Sequence, residues 1–314
     1  DIVGMAGPAV KESRERVRSA VRLSGFSWPQ QRILINLAPA GLRKSGATFD
    51  LPIALAILLA SGQLPGRDRA VLALGELQLD GTLRPVPGVL SAVIAGMQQH
   101  RLDAILLPEG NAAEAASVSG CRVYQLRSLA EARAPRPFRT QTNGPHAPAG
   151  PAATAPDTRE RGDRGDLRDL LGLPDAKRAL CIAAAGGHHL LLVGPPGSGK
   201  TSLARLLADL LPDLTEAEQR EVTRLHSLRG LLRSGTGLLR HSPFRQPHHG
   251  ASSQGIIGGG ADVQPGELSL AHAGVLFLDE APEFSRPVLQ GLREPLEEGV
   301  VRITRSAATY ELPS

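Results

Sequence analysis

The sequence predicts a two-domain chain, with an α+β domain followed by a P-loop α/β domain built on a parallel sheet. Three observations lead to that expectation. Helical and strand patterns alternate through residues 1–133, residues 134–165 lose all apolar periodicity, and a complete glycine-rich loop motif at 194–201 links an apolar strand to a helix. A chain of 314 residues is long enough for two cores. Hydrophobic residues at 41% and charged residues at 21% are ordinary globular values. Aromatics at 3% leave the cores to Leu, Val, Ile and Ala.

In the first domain, Val10, Ser13, Val17, Ala20 and Val21 recur at helical spacing, with Lys11, Arg14 and Arg18 turned outward. Ile33 to Leu37 reads as a strand. Leu74 to Val86 reads as a hairpin turning at Asp80-Gly81, residue types suited to a tight primed turn. A helix is expected from Val89 to His100, then a buried strand at Ala104 to Leu107 that Pro108 ends. A short helix and a strand at Arg122 to Leu126 complete the domain. The stretch 134–165, with Pro145-His146-Ala147-Pro148-Ala149-Gly150-Pro151 at its centre, buries too little to offset its ordering entropy and reads as an extended, flexible linker.

The second domain, 166–314, opens on a helical pattern from Leu167 to Ala185, followed by a short apolar strand at His189 to Val193. Ser202 to Leu211 is a helix with Leu203, Leu206, Leu207 and Leu210 on one stripe. Val275 to Leu278 reads as a second buried strand of the parallel-sheet kind.

Composition sets further limits. The net charge is +4, and Lys11, Lys44, Lys177 and Lys200 are the only lysines, so arginine carries the positive charge. That surplus suits phosphate-rich partners, and a compositional bias produces it equally well. Cys121 and Cys181 make no disulfide framework, so a reducing cytoplasm is the expected setting. The most apolar run, Leu51 to Ala60, is too short for a bilayer, and no membrane partner is expected. The opening Asp1-Ile2-Val3-Gly4 reads as the end of a strand, so the N-terminus is taken as truncated.

Gly194-Pro195-Pro196-Gly197-Ser198-Gly199-Lys200-Thr201 satisfies the pattern G-x-x-x-x-G-K-[ST] in the strand-to-helix context its mechanism requires. The glycines let backbone N–H groups converge on phosphates, and the helix N-terminus, reached at Ser202, adds partial positive charge. Lys200 is placed to reach the β- and γ-phosphates of ATP, and the Thr201 hydroxyl to ligate Mg²⁺. Val275-Leu276-Phe277-Leu278-Asp279-Glu280 supplies the second half: Asp279 for Mg²⁺, and Glu280 to polarise an attacking water. Against these stand a plain glycine-rich turn and a solvated acidic turn, and finding both motifs in one chain weighs against the plain readings.

These residues resemble the ComM/YifB family of magnesium-chelatase-like AAA+ ATPases. The likeness extends to Ala176-Lys177-Arg178-Ala179-Leu180 through Gly186-Gly187-His188-His189, to Pro243-Phe244-Arg245-Gln246-Pro247-His248-His249, to Gly258-Gly259-Gly260, and to Pro265-Gly266-Glu267-Leu268-Ser269-Leu270-Ala271-His272. In the first domain it includes Glu12-Ser13-Arg14-Glu15-Arg16-Val17-Arg18, Asn36-Leu37-Ala38-Pro39-Ala40 and Phe49-Asp50-Leu51-Pro52-Ile53-Ala54-Leu55. Gly172-Leu173 departs from the family's Gly-Gln and leaves an adenine contact there unassigned.

The resemblance implies a homo-hexameric ring that hydrolyses ATP and acts on DNA as a helicase or branch-migration factor. It also implies a first domain like the proteolytic domain of Lon (the ribosomal protein S5 domain 2-like α+β fold), with sensor, arginine-finger and lid elements beyond Ser314. Thr48 and Leu90 stand where the Lon serine and lysine would, so no peptidase is expected, and Lys44 is the nearest lysine to substitute. Arg293, Arg302 and Arg305 are tempting finger candidates, but they read as lying on the helix and hairpin that follow the acid pair. Arg224, Arg229, Arg233, Arg240 and Arg245 fall between the two motifs, either as a DNA-facing surface or as a solvated face. Adjacent His248 and His249 make a poor metal pair and fit hydrogen bonding in a loop better. Two other functions stay open: the ATPase component of a magnesium chelatase, and an interaction protein that binds nucleotide without turnover.

Overall fold

The computed structural model describes residues 2–3, 8–38, 46–65, 70–118, 120, 122–138, 166–260, 263–304 and 309–314. They form two compact units, one of 1–154 with 230–238 and one of 155–229 with 239–314. Residues 230–238, which the sequence assigns to the second domain, cluster with the first unit, where the Gly235 N–H donates to the Gly110 carbonyl at 3.1 Å.

In the first unit β1 (Ile2–Val3) and β2 (Ile35–Asn36) pair in parallel on either side of α1 (Pro8–Leu23). The stripe read from the sequence is the buried one, since Ser13, Val17, Ala20 and Val21 are fully enclosed. They pack on α2 (Asp50–Ala60), an apolar helix buried on most of its surface. Next come β3 (Val71–Ala73), β4 (Glu76–Leu77), β5 (Leu83–Arg84), α3 (Val89–Gln99), β6 (Ala104–Pro108), α4 (Ala112–Ala116), β7 (Arg122–Leu126) and β8 (Arg136–Pro137). The sheet order is β3-β6-β7-β8, with β3, β6 and β7 parallel and β8 antiparallel. Ile105 and Leu107 of β6 enter a core with Val89, Val93 and Ala112, while Leu106 faces the α1–α2 core on the other side. That period of two covers both faces of the sheet with helices.

Three expectations need correction in this unit. The strand expected at Ile33 to Leu37 shortens to Ile35–Asn36. The β4–β5 hairpin turns through three residues, since Gln78 N–H bonds Thr82 O at 2.9 Å and Gly81 N–H bonds Gln78 O at 3.0 Å. Only Gly81 has positive φ, at 87°. A two-residue primed turn would need left-handed backbone at Asp80 as well, whereas a type I turn closed by a left-handed glycine does not. The start of the expected linker is also structured: Arg136–Pro137 pairs with β7, and Phe138 packs on the α3 core. Linker residues 139–165, with Pro39, Ala40, Lys44, Cys121 and Arg305, lie outside the described residues.

The second unit contains α5 (Pro174–Gly186), α6 (Lys200–Leu210), α7 (Glu216–Leu228), β9 (Phe244–Arg245), α8 (Ser253–Ile257), β10 (Gly258–Gly259), β11 (Gln264–Pro265), α9 (Glu267–Leu270), β12 (Val275–Leu276), α10 (Arg286–Gly291), α11 (Arg293–Glu298), β13 (Val300–Thr304) and β14 (Thr309–Pro313). The helix expected over Leu167 to Ala185 is broken. A short 3-10 turn at Leu167–Asp169 gives way to left-handed Gly172 and Leu173, and Pro174 then opens α5. Proline lacks the N–H that a helix interior requires and is accepted at the first turn.

Two clusters form the core of this unit. One joins Leu180, Leu203 and Leu206, and the other Ile256, Leu268, Phe284, Val288, Leu292, Val301 and Ile303. The parallel pairing is β9 with β12, Phe244 opposite Val275 and Arg245 opposite Leu276. The expected strand at Val275 to Leu278 is thus two residues long and only half-buried. His189 to Val193 takes no strand partner among the described residues. Leu190 and Leu192 pack on the α5–α6 cluster, while Leu191 and Val193 are 82% and 87% exposed. Among the described residues, no helix is long and apolar enough to cross a membrane.

Candidate active site

The glycine-rich loop leaves the His189–Val193 segment and ends on α6, whose first residues are Lys200, Thr201 and Ser202. Gly197 and Gly199 have φ of 76° and 85°, a region that side chains with a Cβ rarely enter, so the loop curls only because these positions are glycine. A Cβ at Gly197 would meet open space, which leaves its backbone accessible. The loop and its flanks, Gly194, Pro195, Pro196 and Gly197, are exposed, with Ser198, Gly199, Lys200 and Thr201 half-buried and Ser202 exposed. The Lys200 ammonium bends over the loop, donating to the carbonyls of Gly194 and Pro195 at 2.9 Å each. Leu203, Ala204 and Leu206 anchor the helix behind it.

Thr201 and Asp279 are distant in sequence and meet in space. The Thr201 hydroxyl donates to Asp279 Oδ2 at 3.5 Å. Asp279 also accepts the Glu280 N–H on Oδ1 at 3.1 Å. Glu280, largely exposed, has a left-handed backbone with φ 52° and starts a 3-10 turn closed by the Glu283 N–H at 2.8 Å. A hydroxyl and a carboxylate facing each other at the mouth of a helix N-terminus form a hard oxygen pair of the kind Mg²⁺ takes. Lys200 and the loop N–H groups supply the positive field an anion needs. The residues fit a magnesium–nucleotide complex.

Sequence reasoning missed the neighbourhood of His249. Its Nδ1 lies 3.5 Å from Glu280 Oε2, and its ring contacts that of His248 with centroids 4.1 Å apart. No local signal marked it: the contact arises because two-residue β9 pairs with β12 and brings the segments leaving both strands side by side.

The arginines between the motifs are not equivalent. Arg245 is mostly buried in a bidentate pair with Glu267, at 2.6 and 2.8 Å, and so cannot belong to an open surface. Arg229 and Arg240 are exposed, while Arg224 and Arg233 are half-buried. Arg302 is held by Glu294, Glu298 and Glu311; its bonds to Glu298 and then to Glu311 raise its pKa from the ordinary value, and the three carboxylates leave it unsuited to reach outward.

A fold that carries a phosphate loop facing an acid pair points to a nucleotide-dependent class of protein, and comparison with known proteins narrows the class. Residues 166–314 match the family described as magnesium chelatase, subunit ChlI, and residues 1–111 the family described as subunit ChlI of Mg-chelatase. Among curated proteins, YifB of Escherichia coli is 44% identical over 314 residues, covering 100% of this chain and 60% of YifB. Competence protein ComM of Haemophilus influenzae is 42% identical over 316 residues, covering 100% of this chain and 60% of ComM. A Mycobacterium tuberculosis protein is 44% identical over 306 residues, 97% of this chain and 59% of its own length. The chain belongs to the ComM/YifB magnesium-chelatase-like family. It spans about three-fifths of the length of these relatives.

Proposed function

We propose that the intact protein is an AAA+ ATPase, assembled as a cytoplasmic homo-hexameric ring, that uses ATP hydrolysis to remodel DNA. The observation that carries the ATPase reading is the approach of Thr201 to Asp279 at the mouth of the Lys200 loop. In this reading the backbone of Gly194 to Ser202 holds the phosphates, Lys200 exchanges its loop carbonyls for phosphate oxygens, and Thr201 and Asp279 hold Mg²⁺. When bound, the ion neutralises charge on the phosphoryl oxygens. Glu280 orients the attacking water and accepts its proton.

The DNA reading draws on the competence name of the Haemophilus influenzae relative and on the arginine-borne positive charge. The first unit serves in this reading as a docking or assembly module without peptidase activity. Leu90, where a Lon-type lysine would stand, is fully buried and has no proton to exchange.

ATP hydrolysis by the intact protein, measured with and without single- and double-stranded DNA, tests the proposal. DNA-stimulated turnover is expected, and an inactive protein sinks the ATPase reading. The descriptions of the matching families favour a second reading, the ATPase component of a magnesium chelatase. Turnover stimulated by porphyrin and indifferent to DNA would select it.

A further inference from the structure

We propose that His249 is a positioning residue for Glu280, holding its carboxylate in the orientation that hydrolysis uses. The proposal rests on the ATPase reading above. β9 and β12 are parallel neighbours, so the segments leaving their C-terminal ends run side by side, and the Phe277 N–H still donates to the Arg245 carbonyl at 2.8 Å. One segment leads to His248-His249 and the other to Asp279-Glu280. Their meeting at 3.5 Å between His249 Nδ1 and Glu280 Oε2 is therefore a product of the sheet.

Both partners are held by their own backbones. The Gly250 N–H donates to His248 Nδ1 at 3.0 Å and the Ala251 N–H to the His248 carbonyl at 2.9 Å, closing a tight turn after buried Pro247. The His248 ring lies against that of His249, so pinning the first limits the second. On the other side Glu280 adopts a left-handed backbone that disfavours residues other than glycine by about 1–2 kcal/mol. Its retention there shows that the surrounding turn, anchored by buried Phe284, fixes the direction its side chain leaves in.

An exposed glutamate free of such a contact distributes over several staggered rotamers, and few of them present an oxygen to one chosen water. The His249 ring beside Oε2 at 3.5 Å, an ion-pair distance without hydrogen-bond geometry, restricts those rotamers and leaves Oε1 as the proton acceptor. ATP affinity resides in the Gly194–Thr201 loop, so the contribution of His249 should fall on turnover and not on binding.

The test is steady-state ATP hydrolysis by the intact protein, with Mg-ATP affinity measured by calorimetry on each variant. For His249→Ala, kcat should fall about tenfold while KM and affinity stay within about twofold. His249→Asn, which returns an N–H near the Nδ1 position, should recover most of the loss. In a Glu280→Gln background, adding His249→Ala should cost nothing further. An unchanged or raised kcat in His249→Ala, a parallel loss of affinity, no recovery in His249→Asn, or an additive loss in the double variant each overturns the proposal. If the parent protein is inactive, or Glu280→Gln turns over normally, the ATPase reading itself has failed and this proposal goes with it. An active parent, a Glu280→Gln reduced to a small residual turnover and an unaffected His249→Ala remove His249 alone.

Discussion

Lys200 spends its ammonium on two loop carbonyls, and those bonds are replaceable by phosphate oxygens of higher charge. Lys200→Ala should therefore bind Mg-ATP at least about tenfold more weakly by calorimetry while leaving the fold intact, since the side chain supports no core. Equal affinity would remove the loop from the nucleotide account. His226 behaves differently. Burial pushes its imidazole below the ordinary 6.5, helped by the positive charge of Arg245 and opposed by its bond to the Val222 carbonyl and by Glu267. The neutral ring is the folded form, and the unfolded chain takes up a proton first as pH falls. Its contribution to stability is thus complete above pH 6.5 and is lost as pH drops through the lower folded value. Denaturant unfolding of His226→Leu should show a flatter pH dependence below about 6.5 than the parent. A slope as steep as the parent's would assign the dependence to another group.

Helices α1 and α2 are joined by more than their apolar stripes. Fully buried Asp50, the first residue of α2, accepts Arg16 Nε at 2.9 Å, the Leu77 N–H at 3.3 Å and the Ser13 hydroxyl. Removing it takes the acceptor from the buried Ser13 hydroxyl and the Leu77 N–H, and leaves half-buried Arg16 beside Glu12 and Ser13 without this carboxylate. Asp50→Ala should therefore cost about 1–3 kcal/mol in denaturant unfolding of the intact protein. A change under about 1 kcal/mol would mean that water reaches the network. At this scale the sequence was legible wherever the code is local. The stripe of α1, the limits of α3 and the strand Arg122–Leu126 all rest on residues within a few positions of each other. It was illegible where pairing is distant or short. Two-residue β9 has no period to detect and its partner lies far along the chain, so neither the sheet contact nor the His249 contact could be read. Asp80-Gly81 serves two loop lengths equally well, and the dipeptide alone does not choose between them. The loop and acid motifs were visible because their chemistry fixes residue types one by one, yet the Thr201–Asp279 approach needed the fold.

For the molecule as a whole, the question is which arginines remain for a polyanion. Arg245 and Arg302 are committed to carboxylates, whereas Arg229 and Arg240 are exposed. If the intact protein binds DNA through phosphates, log affinity should fall linearly with log salt, each neutralised phosphate adding about −0.7 to −0.9 to the slope. The double variant Arg229→Ala/Arg240→Ala should flatten that slope by roughly one to two units in fluorescence-anisotropy titrations. An unchanged slope would place the DNA surface elsewhere or remove DNA from the function.

The segment leading into the phosphate loop rests on the α5–α6 cluster through Leu190 and Leu192 and is bare at Leu191 and Val193. Mechanically this is a cantilever, clamped along one side and unsupported along the other. Helix packing on one side then steadies the loop tip, and the amides of this stretch should exchange faster than those inside α5 and α6 when hydrogen exchange is followed by mass spectrometry. Whatever surface comes to lie against Leu191 and Val193 becomes a brace. Such a brace would tighten the grip at Lys200 without touching it, since part of the ordering entropy would be lost before the ligand arrives.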